Sequence, residues 1–277
     1  MTFTEAEAPP PDEAQSRLEK RMAELAMLAL VMAQNGEDDE TDTRVLMRTA
    51  RTVARLSVYA AIAYATRDRG VKGQVDDVLA RSTTDKKAID DWVEQKTKDI
   101  ADTVRGLAHE AAQRMKPAPG ESEKSGPEQN QERRDWVRSA ADTLSTRTAG
   151  EAVLQLAGPL QTQLGQDLKK VWISRGDNRV RELHRKLHGK TADLDKPFWR
   201  ELGTGKQLGF PGDPRAPLDQ TINCRCHLFL VRADQAPKAE EVLHIPASDF
   251  ALAAAARLKP EYPEIGIKQD FEVVYGA

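Results

Sequence analysis

Apolar residues recur along the first third of the chain at steps of three and four. Between Asp12 and Ala33 they fall at Leu18, Met22, Leu25, Ala29 and Met32, which lines one face of a helix with 3.6 residues per turn. A polar, acidic break follows at Asn35–Asp42. The next stripe, with Leu46, Val53, Ala60 and Tyr64 on one side, predicts a helix from about Thr43 to Arg67. A third helix is expected to begin at Ser82, where Ser-Thr-Thr-Asp resembles a capping box. It runs to about Met115 and carries Ile89, Val93, Ile100, Val104, Leu107 and Ala111. The pattern then stops. Lys116–Gln131 is proline, glycine and charge with almost nothing apolar, and reads as a linker.

Beyond it, helices are expected at Glu132–Thr146 and Ala149–Gly165, the second interrupted or kinked at Pro159. From there the character changes. Lys170–Ser174 and Cys226–Arg232 read as strands, Asn178–Leu187 as a short helix, and the tail offers a helix at Phe250–Leu258 and a strand at Phe271–Tyr275. The prediction is an α+β chain: a predominantly helical region over 1–115 with a disordered tip, a linker over 116–131, a small α+β module with a short antiparallel sheet over 132–232, and an extension over 233–277.

Composition narrows this picture. Charged residues make up 31% of the 277 positions and aromatic residues 5%, which suits long charged helices around a thin core. The net charge of −3 gives no overall pull toward nucleic acid or an anionic membrane, so any such contact must be local. The longest apolar run, Leu25–Ala33, is too short to span a bilayer, and the first residues lack the basic and apolar regions of a signal peptide. No membrane partner is expected. The two cysteines, Cys224 and Cys226, are one residue apart, and a bond between them would be strained.

From about Thr146 to Val231 the chain carries a string of motifs: VWISRGDNRVRELHRKLHGK (Val171–Lys190), DKPFW (Asp195–Trp199), FPGDPRAP (Phe210–Pro217) and INCRCHLFLV (Ile222–Val231). This string resembles the Mu F-like family of phage minor head, or head morphogenesis, proteins. The matching positions are Trp172, Ser174, Asp177, Arg179, Arg181, His184, Gly189, Pro197, Phe198, Asn223, Cys224, Arg225 and Cys226. His188 departs from the pattern, since the family position there is variable. The resemblance implies a low-copy structural protein of a tailed-phage head with no established catalysis. It also implies the portal protein and the major capsid or scaffolding protein as partners, packaged double-stranded DNA as a further one, and a place in the virion near the portal vertex.

Read as residues, the same positions have local tasks. Asp177 stands just ahead of the expected helix, where a carboxylate meets orphan amide donors. Gly189 follows its last residue, the usual place for a left-handed cap. His184 lies beside the stripe of Val180, Leu183 and Leu187, so it is expected to be at least half buried and bonded through one ring nitrogen. Cys224 and Cys226, together with His184 and His188 one turn apart, have a spacing that zinc could use. Free cysteine is also a small buried hydrophobe, and core packing is the favoured reading, with no metal and no cofactor expected. Arg179, Arg181 and Arg225 could meet phosphates or a partner's carboxylate. Internal pairing with Asp177, Asp195 or Asp213 is favoured.

Arg44, Arg48, Arg51 and Arg55 recur at steps of four, three and four, a narrow basic stripe on the second helix. Lys169, Lys170, Arg175, Lys186 and Lys190 make a second basic neighbourhood. The stripe is a candidate contact for DNA or a partner, and equally a solvated face. None of the five histidines belongs to an HExxH, GxSxG or P-loop pattern, so no enzyme is expected. The surviving alternative is a metal-dependent nucleic-acid hydrolase or toxin-type effector built on the same module.

Overall fold

The computed structural model describes residues 11–35, 40–65, 83–116, 126–175, 179–201, 205–234 and 236. Among them the chain is α+β: four long helices, then a small antiparallel sheet with short helices. Helix α1 (Pro11–Asn35) buries Leu18, Met22, Leu25, Ala29 and Met32, the stripe its sequence predicts. Helix α2 (Glu40–Ala65) buries Leu46, Val53 and Ala60, with Ala50, Ala54 and Ala61 beside them. Tyr64, expected on that face, lies outside the described side chains.

Helix α3 (Thr83–Arg114) buries Ile89, Val93, Ile100, Val104 and Ala111, but Leu107 is 38% exposed. The buried arc also takes in Ala101, Ala108 and Ala112, so its centre is rotated past Leu107, which is left at the edge. The α1, α2 and α3 helices pack on one another and on α4 (Gly126–Leu164).

Helix α4 is continuous where the sequence reads two helices, and it starts six residues before the expected Glu132. The stretch Thr146–Thr148 does not break it. Thr148 donates its hydroxyl to the Leu144 carbonyl one turn back, and Arg147 pairs with Glu151 one turn on. Pro159 sits inside the same helix. Of the expected linker, residues 117–125 lie outside the described residues and 126–131 form the start of α4. The expected elements at Phe250–Leu258 and Phe271–Tyr275 also lie outside them.

Strand β1 (Leu168–Ile173) is the centre of the sheet. It pairs antiparallel with β2 (Thr191–Asp193) on one side and with β5 (His227–Arg232) on the other. Between them in sequence lie α5 (Glu182–Leu187), the two-residue strands β3 (Trp199–Arg200) and β4 (Gln207–Leu208), and the four-residue α6 (Leu218–Thr221). Side chains alternate along a strand, and β1 is buried on both faces. Val171 and Ile173 join the large core shared with all four long helices. Trp172 points the other way, into a smaller cluster with Leu187, Leu208, Ala216, Cys224 and Cys226. That smaller core is where the signature residues meet.

Candidate functional site

Helix α5 is short, and its ends are fixed by backbone geometry. It starts later than the expected Asn178, and Asp177, read as its capping residue, lies outside the described residues. At the other end Gly189 has a φ of 77°, a left-handed conformation that favours glycine. The turn lies against β1: the Gly189 N–H donates to the Trp172 carbonyl at 2.7 Å, and the Trp172 N–H to the Lys190 carbonyl at 3.0 Å. Those bonds set His184 against the Trp172 indole, with ring centres 5.0 Å apart in an edge-on arrangement. Phe198 of the Asp195–Trp199 loop also meets the indole edge-on, with ring centres 5.5 Å apart.

Both cysteines converge on His184. Its Nδ1 lies 3.6 Å from Cys224 Sγ and 3.5 Å from Cys226 Sγ. All three side chains are buried, with exposures of 1–2%. Nε2 of the same ring has no partner among the described residues. The two thiols act on each other. A hydrogen bond with Cys226, followed by interactions with His184, holds the Cys224 thiol well below its ordinary range, and the same Cys224 bond pushes Cys226 well above it.

His188 does not join them, which corrects the four-residue grouping that spacing allowed. Its Nδ1 accepts the Ser174 backbone N–H at 3.0 Å and lies 3.0 Å from the Ser174 hydroxyl. Burial lowers its pKa, and a nitrogen that accepts an amide proton must be the neutral tautomer's acceptor. Trp172 and Ser174, two residues apart on and just beyond β1, therefore each meet one histidine, His184 within α5 and His188 just past its end.

The cysteine loop is fixed from α4. Thr146 donates its hydroxyl to the Cys224 carbonyl at 2.6 Å, and the Asn223 N–H donates to the Thr143 hydroxyl at 2.9 Å. Asn223 has a φ of 54°, a conformation asparagine tolerates better than most residues. Arg181 donates to the Ile222 carbonyl. Sequence reading did not single out Thr143. Two threonines one turn apart on a helix carry little signal of their own.

Of the carboxylates expected to pair with the arginines, Asp177 lies outside the described residues, and Asp195 and Asp213 have partners close in sequence. Asp195 pairs with Lys196, and Asp213, fully buried, accepts from the Gly209 and Arg215 backbone N–H groups and from the Arg215 guanidinium. Arg225 acts instead on Asp142 of α4, with Arg138, Arg175 and Arg179 behind it. Burial raises the Asp142 pKa and these cations pull it back down. Glu19 of α1 is raised the same way, with Arg175 and Arg225 opposing. Asp142 and Glu19 stand on long helices outside the motif, so its residues alone give no sign of them.

Lys170 leaves the second basic neighbourhood. It is buried, donates to the Leu194 carbonyl at 3.0 Å and stands 5.4 Å from the Phe198 ring centre. Burial, with Arg215 adding to it, lowers its pKa from 10.5 to about 8. On α2, Arg44, Arg48, Arg51 and Arg55 are all exposed. Arg44 pairs with Glu40, and Arg51 with Glu94 of α3. No described helix is long and apolar enough to cross a membrane.

Residues 118–229 match the family described as Phage Mu protein F like protein. Minor head protein GP7 of Bacillus phage SPP1 is 27% identical to this chain over 186 residues, which is 65% of this chain and 58% of that protein. The chain thus spans somewhat more than half the length of that curated relative. No solved structure matches the chain.

Proposed function

Because this chain carries a Mu F-like module over residues 118–229, we propose that it is a structural minor head protein of a tailed bacteriophage, incorporated during head morphogenesis. The observation that carries this reading is where the signature residues go. Trp172, His184, Gly189 and both cysteines contact one another, and Ser174 and Asn223 bond His188 and Thr143, so that together they hold α5, β1 and the cysteine loop in place. They build a fold rather than an open cleft. The similarity to a minor head protein of another phage supports the same role.

In this reading the portal protein and the major capsid or scaffolding protein are the partners, and the chain sits in the virion near the portal vertex. Packaged double-stranded DNA is a further partner through the exposed stripe Arg44, Arg48, Arg51 and Arg55. Such contact would be to phosphates and blind to sequence. The hydrolase or effector alternative is disfavoured by burial. A hydrolytic centre must admit its substrate, and the His184–Cys224–Cys226 cluster is sealed.

Mass-spectrometric inventory of purified virions and procapsids tests the proposal. The chain should be present in both at a small, fixed ratio to the portal protein. Its absence from both particles, with normal expression in infected cells, would refute a structural role.

A further inference from the structure

His184, Cys224 and Cys226 place one imidazole nitrogen and two sulfurs at a common point, with all three donor atoms within 4.8 Å of one another. We propose that they coordinate a single zinc ion that clamps α5 to the cysteine loop entering β5.

Three observations carry this. The first is distance. With Zn–S of about 2.3 Å and Zn–N of about 2.0–2.1 Å, the edges of a tetrahedral site are roughly 3.5–3.8 Å. The two N···S separations are 3.5 and 3.6 Å. The second is valence. A neutral imidazole nitrogen has one lone pair and accepts one hydrogen bond in line with it. Two sulfurs approach that one lone pair, at 3.5 and 3.6 Å, and only one of them can donate to it at a time. One cation engages all three lone pairs together. The third is support. Thr146 holds the Cys224 carbonyl, Asn223 takes the left-handed turn before it, and Trp172 walls the ring of His184. Outer contacts of this kind orient metal ligands in built sites.

Two thiolates and an imidazole are a soft donor set that suits zinc rather than magnesium or calcium. The thiol protons pass to solvent as the ion binds, so that two thiolate charges balance Zn²⁺. No fourth protein donor joins the three among the described residues. His188, the apparent fourth by spacing, is held by Ser174. The donors are sealed, so the ion enters while the chain folds and becomes part of its stability.

The test uses the full chain purified without chelator from zinc-replete cells, with elemental analysis, and again from cells supplied with cobalt in place of zinc. The expected result is about one zinc per chain, and in the cobalt protein a thiolate-to-metal charge-transfer band with the visible bands of tetrahedral cobalt. Cys226→Ser and His184→Gln should reduce metal content to near zero, whereas His188→Gln should retain it. Circular dichroism reports whether each variant is folded, and the wild-type measurement decides even where a variant is not. A folded wild-type chain with two titratable thiols and no bound metal from either culture would overturn the proposal. So would metal lost in His188→Gln and kept in a folded His184→Gln.

Discussion

The Thr146 hydroxyl on helix α4 donates to the carbonyl of Cys224, 78 residues later in the chain, at 2.6 Å. The bond is buried at both ends, and it fixes the cysteine loop against α4, the longest of the described helices. Thr143, one turn earlier, meets the same loop at the more exposed Asn223 N–H. Burial decides how much each bond matters, because a buried group left unpaired keeps its full desolvation cost. Thr146→Val should therefore lower unfolding stability by about 1–3 kcal/mol, and Thr143→Val by clearly less. Urea denaturation of the two variants compares them directly. Equal losses would mean that the loop is not held through the Cys224 carbonyl.

Backbone conformation makes a second pair of contrasts. Gly189 and Asn223 both occupy left-handed φ, at 77° and 54°. A side chain there costs roughly 1–2 kcal/mol, so Gly189→Ala should destabilise by about that amount. Asn223→Gly should be close to neutral, since glycine takes the same conformation without penalty. A neutral Gly189→Ala variant would show that the α5 turn relaxes into another geometry.

Lys170 offers a test through pH. Its folded-state pKa of about 8 lies below the ordinary 10.5 because the ammonium is buried. Between those values the unfolded chain holds a proton that the folded chain has released, so stability rises as pH climbs from 8 to 10.5. Below pH 8 both states are protonated, and the folded state carries the buried charge. The wild type should gain on the order of 1–3 kcal/mol across this window relative to Lys170→Met. Guanidinium denaturation of both proteins at pH 7.5 and pH 10 measures the difference. Parallel behaviour of the two proteins would mean that Lys170 titrates as if exposed.

How much of this was legible depended on whether partners lay near in sequence. The stripe Leu18, Met22, Leu25, Ala29 and Met32 gave α1 almost to the residue, because a helix face is read from spacing alone. The strand at Lys170–Ser174 and the one at Cys226–Arg232 were likewise visible as apolar runs, and lie within two residues of the observed β1 and β5. The strands β2, β3 and β4 were not, since two or three residues between loops carry no periodicity. At the site, the motif brought His184 and the cysteines to attention, but spacing could not separate His184 from His188. That choice is made by Trp172 on β1 and Ser174 just beyond it. The influence of Arg225 on Asp142 was hidden for a similar reason: Asp142 lies on α4, upstream of the motif.

Composition and packing make different forecasts for the stretch 116–131, and one experiment separates them. Its proline, glycine and charge recommend it to a protease, and we propose cleavage of the free chain there ahead of any site in 140–232. The N-terminal helices nevertheless share one core with α4, including Leu25, Val53, Val104 and Leu156. Tryptic fragments should accordingly migrate together in size-exclusion chromatography and separate only in denaturant. First cleavage inside 140–232 would overturn the boundary. Fragments that part under native conditions would show the shared core to be too weak to hold them.

The DNA contact is tested through the arginine stripe of α2. Arg44, Arg48, Arg51 and Arg55 are exposed on one helix face, and Gln is nearly as good a helix former as Arg, so replacing all four should leave α2 intact. If the stripe meets phosphates, binding to any duplex weakens steeply with salt, because each neutralised phosphate releases condensed counterion. The ion pairs already present reduce what is on offer. Arg51 is engaged by Glu94 and Arg44 by Glu40, both at exposed positions where such pairs contribute little and yield readily to a competing phosphate. The slope lost on fourfold substitution should thus approach the full count of four, and Glu94→Gln should strengthen binding slightly by releasing Arg51. With a net charge of −3, binding by the free chain will be weak and best seen at low salt. A mobility-shift series over salt concentration, run on wild type, the fourfold Gln variant and Glu94→Gln, reads all three. Superimposable curves for the first two would make the stripe a solvated or protein-facing surface and remove DNA from the list of partners.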